Sequence, residues 1–200
     1  MLTKRERLNK RGFDIIFSFV GLVFTFPLIF VSFLAIVISS RTSGIYAPYR
    51  IGRHGLPFKI YKLKTMREVN GPINSVTTKN DPRITSIGKW LRKFKIDELP
   101  QLWNVLKGEM SLVGPRPDVA GFADQLQGQD REILSLLPGI TGLATLKFKQ
   151  EEELLAQQKD PIAYNREVIW PEKIKLNREY IKNYSFGLDV QILWKTIVDS

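Results

Sequence analysis

The chain has 200 residues, with 30 basic and 20 acidic side chains, one histidine and no cysteine. This length suits one domain with a modest core. The absence of cysteine excludes disulfides and thiolate metal sites, and a single histidine makes a histidine-based metal centre or a Ser-His-Asp triad improbable. The net charge of +10 is uneven, since residues 41–95 alone carry +11. Such a basic segment attracts polyanions, namely nucleic acid, anionic lipid or nucleotide phosphates.

The first predicted element is a membrane helix. Residues 15–38 form an uncharged run of 24 residues dominated by Phe, Ile, Leu and Val, which is long enough to cross a bilayer. Pro27 lies near its centre, where it removes one hydrogen bond and should kink the helix. Basic residues flank the run on both sides, which is awkward for a span and natural for a hairpin with both ends cytoplasmic. A single span and a re-entrant helix broken at Pro27 are both open on these observations.

Three charged residues stand at the start of this run: Lys10, Arg11 and Asp14. Asp14 is costly in lipid unless it is paired. Lys10 and Arg11 precede it by four and three residues, on the same side of a helix. An interfacial ion pair is the ordinary interpretation, and contact with lipid headgroups is the functional one.

The basic middle segment is predicted to begin with a β-hairpin. Residues 46–66 form it, with the turn at residues 53–56. Lys62 lies on the same face of the second strand as two apolar residues, so it belongs either to a solvated strand end or to a phosphate site. A short amphipathic helix follows, and Arg92 lies on its polar side.

Residues 96–117 carry the strongest local pattern. Asp97 and Glu98 open a predicted helix, and Gly108 is the expected left-handed C-cap. Apolar residues recur at helical spacing and predict one apolar helix face: Leu99, Leu102, Trp103 and Leu106. Asp97 would then lie at a helix N-terminus, where anions are favoured. Arg116 follows in a stiff Pro-Arg-Pro loop. Taken one at a time, helix capping and a rigid turn are the more common explanations of these features.

As a block, residues 97–117 resemble the signature of the bacterial sugar transferases, the small monotopic phosphoglycosyl transferases. The resemblance runs from Lys10 to the C-terminal Leu-Asp-Val-Gln-Ile-Leu, and includes the strand motif at residues 58–66 and the turn-rich segment 138–144. It implies transfer of a sugar-1-phosphate from a UDP-sugar to undecaprenyl phosphate, with release of UMP. It further implies a covalent phospho-aspartate intermediate and a role in initiating surface glycan assembly.

The resemblance also assigns roles to individual residues. Asp97 would be the nucleophile and a ligand of Mg²⁺, the hard metal suited to oxygen ligands, and Glu98 would be the base. The phosphate-binding residues would be Lys62, Arg92 and Arg116. In the membrane segment, Pro27 would be the break of a re-entrant helix, and the headgroup contacts would come from Lys10, Arg11 and Asp14.

One departure concerns the break itself. The family commonly has serine before this proline, whose hydroxyl can bond the carbonyl that the proline leaves free, and this chain has Phe26 there. Thr25 could take the same role from one position earlier.

The expected fold is therefore α+β. Residues 41–200 would form a small mixed catalytic domain with a β-hairpin and short amphipathic helices. Residues 1–40 would form a proline-kinked re-entrant membrane helix that carries it. The larger members' additional N-terminal membrane domain is not expected, so this would be a minimal catalytic form.

We expect the bacterial inner membrane as location, with the catalytic domain on the cytoplasmic face. The expected partners are a UDP-sugar, undecaprenyl phosphate and membrane lipids, without nucleic acid, and homo-oligomerisation stays open. One alternative is a non-enzymatic membrane-anchored adaptor with a basic surface for lipid or nucleic acid, which leaves Asp97, Glu98 and Arg116 without a role. Another is a glycosyltransferase that releases UDP.

Overall fold

The computed structural model describes residues 2–68, 77–78 and 81–198. Within them, helices are combined with small two-stranded sheets, so the predicted mixture of helix and sheet is confirmed. The α-helices are α1 (Lys4–Ser40), α2 (Ser86–Lys93), α3 (Gln101–Lys107), α4 (Leu143–Lys147), α5 (Glu151–Ala156), α6 (Pro161–Tyr164), α7 (Trp170–Lys182) and α8 (Phe186–Val198). The strands are β1 (Ile45–Tyr46), β2 (Tyr49–Ile51), β3 (Pro57–Lys59), β4 (Lys62–Leu63), β5 (Ser111–Val113) and β6 (Gly139–Thr141). Shorter 3₁₀-helices include Arg53–Gly55, Ile96–Glu98, Ala123–Gln125 and Gly128–Ser135, and a π-helical turn, Asn165–Ile169, precedes α7.

Helix α1 is the long apolar element, and both of its ends are capped. At its start, the Thr3 hydroxyl accepts a hydrogen bond from the Glu6 backbone N–H, and the Glu6 carboxylate accepts one from the Thr3 N–H, which is a capping box. Arg41 ends the helix in the left-handed region, with φ 52°. Among the described residues, α1 is the one helix whose length and composition would allow it to cross a membrane.

The helical backbone of α1 runs on through Pro27, and the kink expected at this proline stays a prediction. The expected rescue of the break by Thr25 is wrong. Its hydroxyl donates to the carbonyl of Gly21 at 2.7 Å, whereas the carbonyl that a proline at position 27 deprives of its donor is that of Val23.

Both halves of α1 pack against the rest of the chain. Near its middle, Gly21 lies against the side chain of Leu102 in α3. Towards its end, Ile36 joins an apolar cluster with Leu63, Leu91 and Ile96. The remaining apolar side chains of the helix are largely exposed, Phe24 to 80% and Ile38 to 78%.

The predicted hairpin is confirmed, with one interruption. β2 and β3 pair in antiparallel fashion around a turn that contains Gly55 at φ 81°, and β1 and β4 continue the pairing. The predicted second strand is divided at residues 60–61, where the side chain of Asn104 inserts. Its Oδ1 accepts from the Tyr61 N–H at 3.0 Å and its Nδ2 donates to the Lys59 carbonyl at 2.7 Å. A side-chain amide thus replaces part of the strand ladder and ties the hairpin to α3.

Helix α3 forms where predicted and ends at Gly108, whose φ of 83° confirms the left-handed C-cap. The predicted apolar face is only partly buried: Leu102 packs against the main core and Leu99 against the smaller apolar cluster. Trp103 is 53% exposed, and the fully buried positions are Gln101, Asn104 and Val105. The apolar stripe is turned partly towards α1, where Leu102 contacts Gly21, and the most deeply buried face carries Asn104, whose amide bonds the backbone of the divided strand.

The main core lies between α3, the parallel pair β5 and β6, and the C-terminal helices. The C-terminal helices α7 and α8 contribute Tyr180, Ile181 and Ile192 to it. The most deeply buried side chains of the main core include Val105, Met110, Val113, Tyr180 and Ile192. This core holds the short loop after β5, which carries Arg116, against the turn that carries Asp97 and Glu98.

Candidate active site

The two adjacent carboxylates lie in a tight turn between α2 and α3. Lys95 takes a left-handed conformation, with φ 55°, and reverses the chain after α2. The 3₁₀-helix Ile96–Glu98 follows and continues through Leu99 and Pro100, both with helical dihedral angles, into α3. This turn buries Asp97, which is 6% exposed, and leaves Glu98 facing the strand β4.

Glu98 brings two of the predicted phosphate-binding residues together. Its carboxylate accepts hydrogen bonds from Lys62 Nζ at 2.9 Å and from Arg116 Nη2 at 2.5 Å. Burial alone would raise the pKa of Glu98, but the charges of Arg116 and Lys62 outweigh it and hold that pKa well below its usual range. A carboxylate so stabilised as an anion is a weak base. Glu98 is instead placed to hold the side chains of Lys62 and Arg116 in position.

Asp97 is in the opposite electrostatic situation. Burial, followed by the negative charge of Glu98, raises the pKa of Asp97 to about 6, although Lys62 and Arg92 act in the other direction. Its Oδ1 is buried and has no hydrogen-bond partner within the described part of the protein. Carboxyls with a displaced pKa and a free oxygen are typical of reactive positions. Asp97 is therefore the stronger candidate nucleophile of the pair.

Arg92 is close enough to Asp97 to lower its pKa, yet it is held by a different residue. Its guanidinium forms an ion pair with Glu152 at the start of α5. The sequence alone gives no indication of a function for the three acidic residues at positions 151–153. The structure shows that Glu152 positions Arg92 and that Glu151 pairs with Lys173 of α7 at 2.7 Å.

The Arg116 loop is fixed by unusually close backbone packing. The Gly114 N–H donates to the Thr141 carbonyl, and the Gly139 N–H donates to the Pro115 carbonyl at 2.8 Å. A Cβ at Gly139 would collide with the backbone of Gly114, so these two strands approach one another only because both positions are glycine. This contact sets the position of Arg116 opposite Glu98.

A second charged group lies beyond Arg116 and was missed by the sequence analysis. Asp118 is near Lys173, Glu151, Arg116 and Arg50, and burial raises its pKa to about 6. The signal in the sequence was an acidic residue two positions after Arg116. Its cationic neighbours Arg50 and Lys173 come from distant parts of the chain, so local spacing could not reveal them.

The predicted headgroup residues are tied into the protein. Lys10 Nζ forms a salt bridge with Asp189 of α8 at 2.6 Å rather than with Asp14, so the local ion pair expected from the sequence is replaced by a long-range one. Arg11 donates to the carbonyls of Val105 and Leu106 at the end of α3. Asp14 accepts a hydrogen bond from the Leu112 backbone N–H, at 3.0 Å. Contact of these residues with lipid headgroups stays a prediction.

The residues at this site can be tested against Mg²⁺. Among the described residues, no group of three or more acidic or histidine side chains is arranged to hold a metal ion. Mg²⁺ does not require one, because it commonly binds through one or two carboxylates together with substrate phosphates and water. The buried Oδ1 of Asp97, which has no protein partner among the described residues, is a suitable single oxygen ligand, so the site fits this ion.

Comparison with known proteins places the chain among relatives. The profile of the bacterial sugar transferase family matches residues 5–200. A Bacillus subtilis protein, whose name provisionally assigns it as an undecaprenyl-phosphate N-acetylgalactosaminyl 1-phosphate transferase, is 41% identical over 70% of this chain and 74% of its own length. The undecaprenyl-phosphate galactose phosphotransferase of Salmonella typhimurium is 36% identical over 98% of this chain. The UDP-glucose:undecaprenyl-phosphate glucose-1-phosphate transferase of Escherichia coli is 32% identical over 96%.

The match covers only part of some of these relatives. This chain spans 41% of the Salmonella protein and 40% of the Escherichia coli protein. The match to the family profile spans the whole of the site described above. The chain belongs to the bacterial sugar transferase family.

Proposed function

We propose that this protein transfers a sugar-1-phosphate from a UDP-sugar to undecaprenyl phosphate, with release of UMP, at the start of surface glycan assembly. The names of the relatives denote this class of donor and acceptor. The observation that carries the proposal is a buried carboxylate, Asp97, whose Oδ1 has no partner among the described residues, beside two cations held by Glu98.

The reaction is proposed to proceed in two displacements. In the first, a carboxylate oxygen of Asp97 attacks the phosphorus that bears the sugar, the bond to the uridine-bearing phosphate breaks, and UMP leaves with the electron pair. In the second, a phosphate oxygen of undecaprenyl phosphate attacks the same phosphorus and the acyl-phosphate bond breaks, which restores the Asp97 carboxylate. No net proton transfer is needed, because the acceptor phosphate is ionised near neutral pH.

Lys62 and Arg116 are proposed to bind the donor phosphates. With Glu98 they form a group of net charge +1 beside Asp97, which offsets the repulsion between the nucleophile and its anionic substrate. Glu98 then acts by positioning these cations, which agrees with its lowered pKa better than the role of base does. Arg92, held by Glu152, is placed to bind a further phosphate oxygen.

Mg²⁺ is the proposed cofactor, with Asp97 as its protein ligand. When bound, it would neutralise charge on the phosphates of the donor.

We further propose that α1 enters and leaves the membrane on the same side. Asp14 and Ile36 are separated by about 33 Å of helix, roughly the thickness of the bilayer core. Asp14 is bonded to Leu112, while Ile36 packs with Leu91 and Ile96 of the same domain. A helix crossing the bilayer would carry one of these residues to the opposite face, away from its contacts.

This topology predicts a specific labelling pattern. The native chain has no cysteine, so single cysteines at the exposed positions Arg5 and Thr42 would report on the two flanks of α1. In inverted inner-membrane vesicles, both Arg5→Cys and Thr42→Cys are expected to react with a membrane-impermeant maleimide. In right-side-out vesicles neither should react before the membrane is permeabilised. Labelling of the two positions from opposite sides would contradict the proposal.

The activity itself is tested by the nucleotide that is released. Detergent-purified protein is supplied with undecaprenyl phosphate, Mg²⁺ and a panel of UDP-sugars. UMP is the expected product with at least one donor, and its release should stop when the metal is chelated. UDP as the product would indicate direct glycosyl transfer instead. Absence of any nucleotide release across a full panel, with salt-sensitive lipid or nucleic-acid binding, would support the adaptor alternative.

A further inference from the structure

Two side-chain amides, those of Gln101 and Asn104, lie on the buried face of α3, and they differ in their hydrogen bonding. Asn104 is completely buried and bonds the backbone of Lys59 and Tyr61 as well as the side chain of Glu109. Gln101, one turn earlier, is 1% exposed, and its Nε2 has no hydrogen-bond partner among the described residues. Asn104 therefore has an evident structural role, and Gln101 does not.

A buried amide donor without a partner is unfavourable for folding, because it has lost its bonds to water and gained none in the protein. An apolar side chain of similar shape would avoid this cost. The fold thus carries a destabilising group at Gln101 that its own packing does not require, and this pattern is typical of positions kept for function.

The position of Gln101 relates it directly to Asp97. It follows Asp97 by four residues, and the intervening Leu99 and Pro100 have helical dihedral angles, so the two side chains lie on the same face of the turn. Asp97 Oδ1 is itself a buried acceptor without a partner in the described part of the chain, and the two groups are not bonded to one another. A neutral donor and a carboxylate oxygen are therefore both left free on this buried face.

We propose that Gln101 binds the transferred phosphoryl group, with its Nε2–H donating to a non-bridging oxygen of the phosphate that is carried on Asp97. This role rests on the proposed function and adds to it a ligand-binding residue that directly touches the reacting group. The chemistry explains why the donor is neutral. A lysine or arginine here would form an ion pair with Asp97, whereas an amide leaves the carboxylate free to attack and still stabilises charge on the phosphoryl oxygens.

The test compares the same substitution at two positions on one helix face. Gln101→Met removes the amide and keeps the length of the side chain, and Asn104→Met is the matched control. In the absence of ligand, Gln101→Met is expected to unfold at or above the temperature of the native protein, and Asn104→Met well below it. A fall in the melting temperature of Gln101→Met as large as that of Asn104→Met, or a failure to fold, would overturn the proposal, because the amide would then be structural.

The second measurement uses beryllofluoride with Mg²⁺, which mimics a phosphoryl group on a carboxylate. We expect it to raise the melting temperature of the native protein, with less than about half of that rise remaining in Gln101→Met. The kcat of Gln101→Met should fall by about 100-fold, the usual effect of removing one donor to developing charge, with little change in the KM for the UDP-sugar. An undiminished beryllofluoride shift in Gln101→Met would overturn the role of Gln101 alone. No shift in the native protein would overturn the phospho-aspartate proposal and the role of Gln101 with it.

Discussion

Asp97→Asn is expected to abolish UMP release and at the same time to make the protein more stable. Loss of the nucleophilic oxygen should lower kcat by at least about 1,000-fold, the scale seen when a central catalytic group is removed. The gain in stability follows from the cost of burying the Asp97 charge beside Glu98, which raises its pKa to about 6. An asparagine of the same shape carries no charge and avoids this cost.

The size and the pH dependence of this gain in stability follow from the size and direction of the pKa shift of Asp97. A rise in the pKa of Asp97 from 3.8 to about 6 corresponds to a free-energy difference of roughly 3 kcal/mol between its two protonation states. The folded protein binds the proton more tightly than the unfolded chain, so the native protein loses stability as the pH rises from about 4 to 6. The advantage of Asp97→Asn should be full above pH 6 and shrink towards pH 4, as measured by thermal unfolding with a chelator present.

Asp118→Asn is the control for this prediction. Burial also raises the pKa of Asp118 to about 6, so this variant should gain stability over the same pH range. UMP release should persist in it, since Asp118 has no proposed role in the transfer. If Asp97→Asn retained activity, another nucleophile would be required. If it lost stability at pH 7.5, the buried charge would be better compensated than the structure indicates.

Lys10→Met is expected to be the most destabilising single substitution in the N-terminal helix. Lys10 Nζ and Asp189 Oδ2 are 2.6 Å apart, and both side chains are nearly inaccessible to solvent. Tyr180 donates to the other oxygen of Asp189, also at 2.6 Å. Removal of one member of a buried ion pair leaves an uncompensated charge, which typically costs about 3–5 kcal/mol. The variant should show this loss as a lower melting temperature in detergent.

The double variant Lys10→Met with Asp189→Asn should recover most of that stability, because it removes both charges and keeps an acceptor for Tyr180. Arg7→Met provides the matched control, since it removes the same charge from an exposed position on the same helix and should change stability by less than about 0.5 kcal/mol. Equal behaviour of Lys10→Met and Arg7→Met would mean that Lys10 serves the lipid surface rather than the attachment of α1 to α8.

Features that depend on neighbours in sequence were predicted from the sequence alone. The apolar run, the hairpin with its turn and the glycine that ends α3 all have local causes, namely periodicity, turn residues and capping. The resemblance carried by residues 97–117 likewise needed only the order of the residues, and the family match over residues 5–200 agrees with it.

Features that depend on which elements meet were decided by the tertiary structure. Lys10 has an acidic residue four positions later, yet its partner is Asp189, 179 residues away. Helix α3 buries its amides more deeply than its apolar stripe, and Asn104 bridges the divided strand. Two adjacent carboxylates of the same type acquire opposite pKa shifts, since Glu98 meets Lys62 and Arg116 while Asp97 is buried with a free oxygen. Spacing along the chain identifies the reactive pair, and only long-range packing distinguishes the proposed nucleophile from the residue that holds the cations.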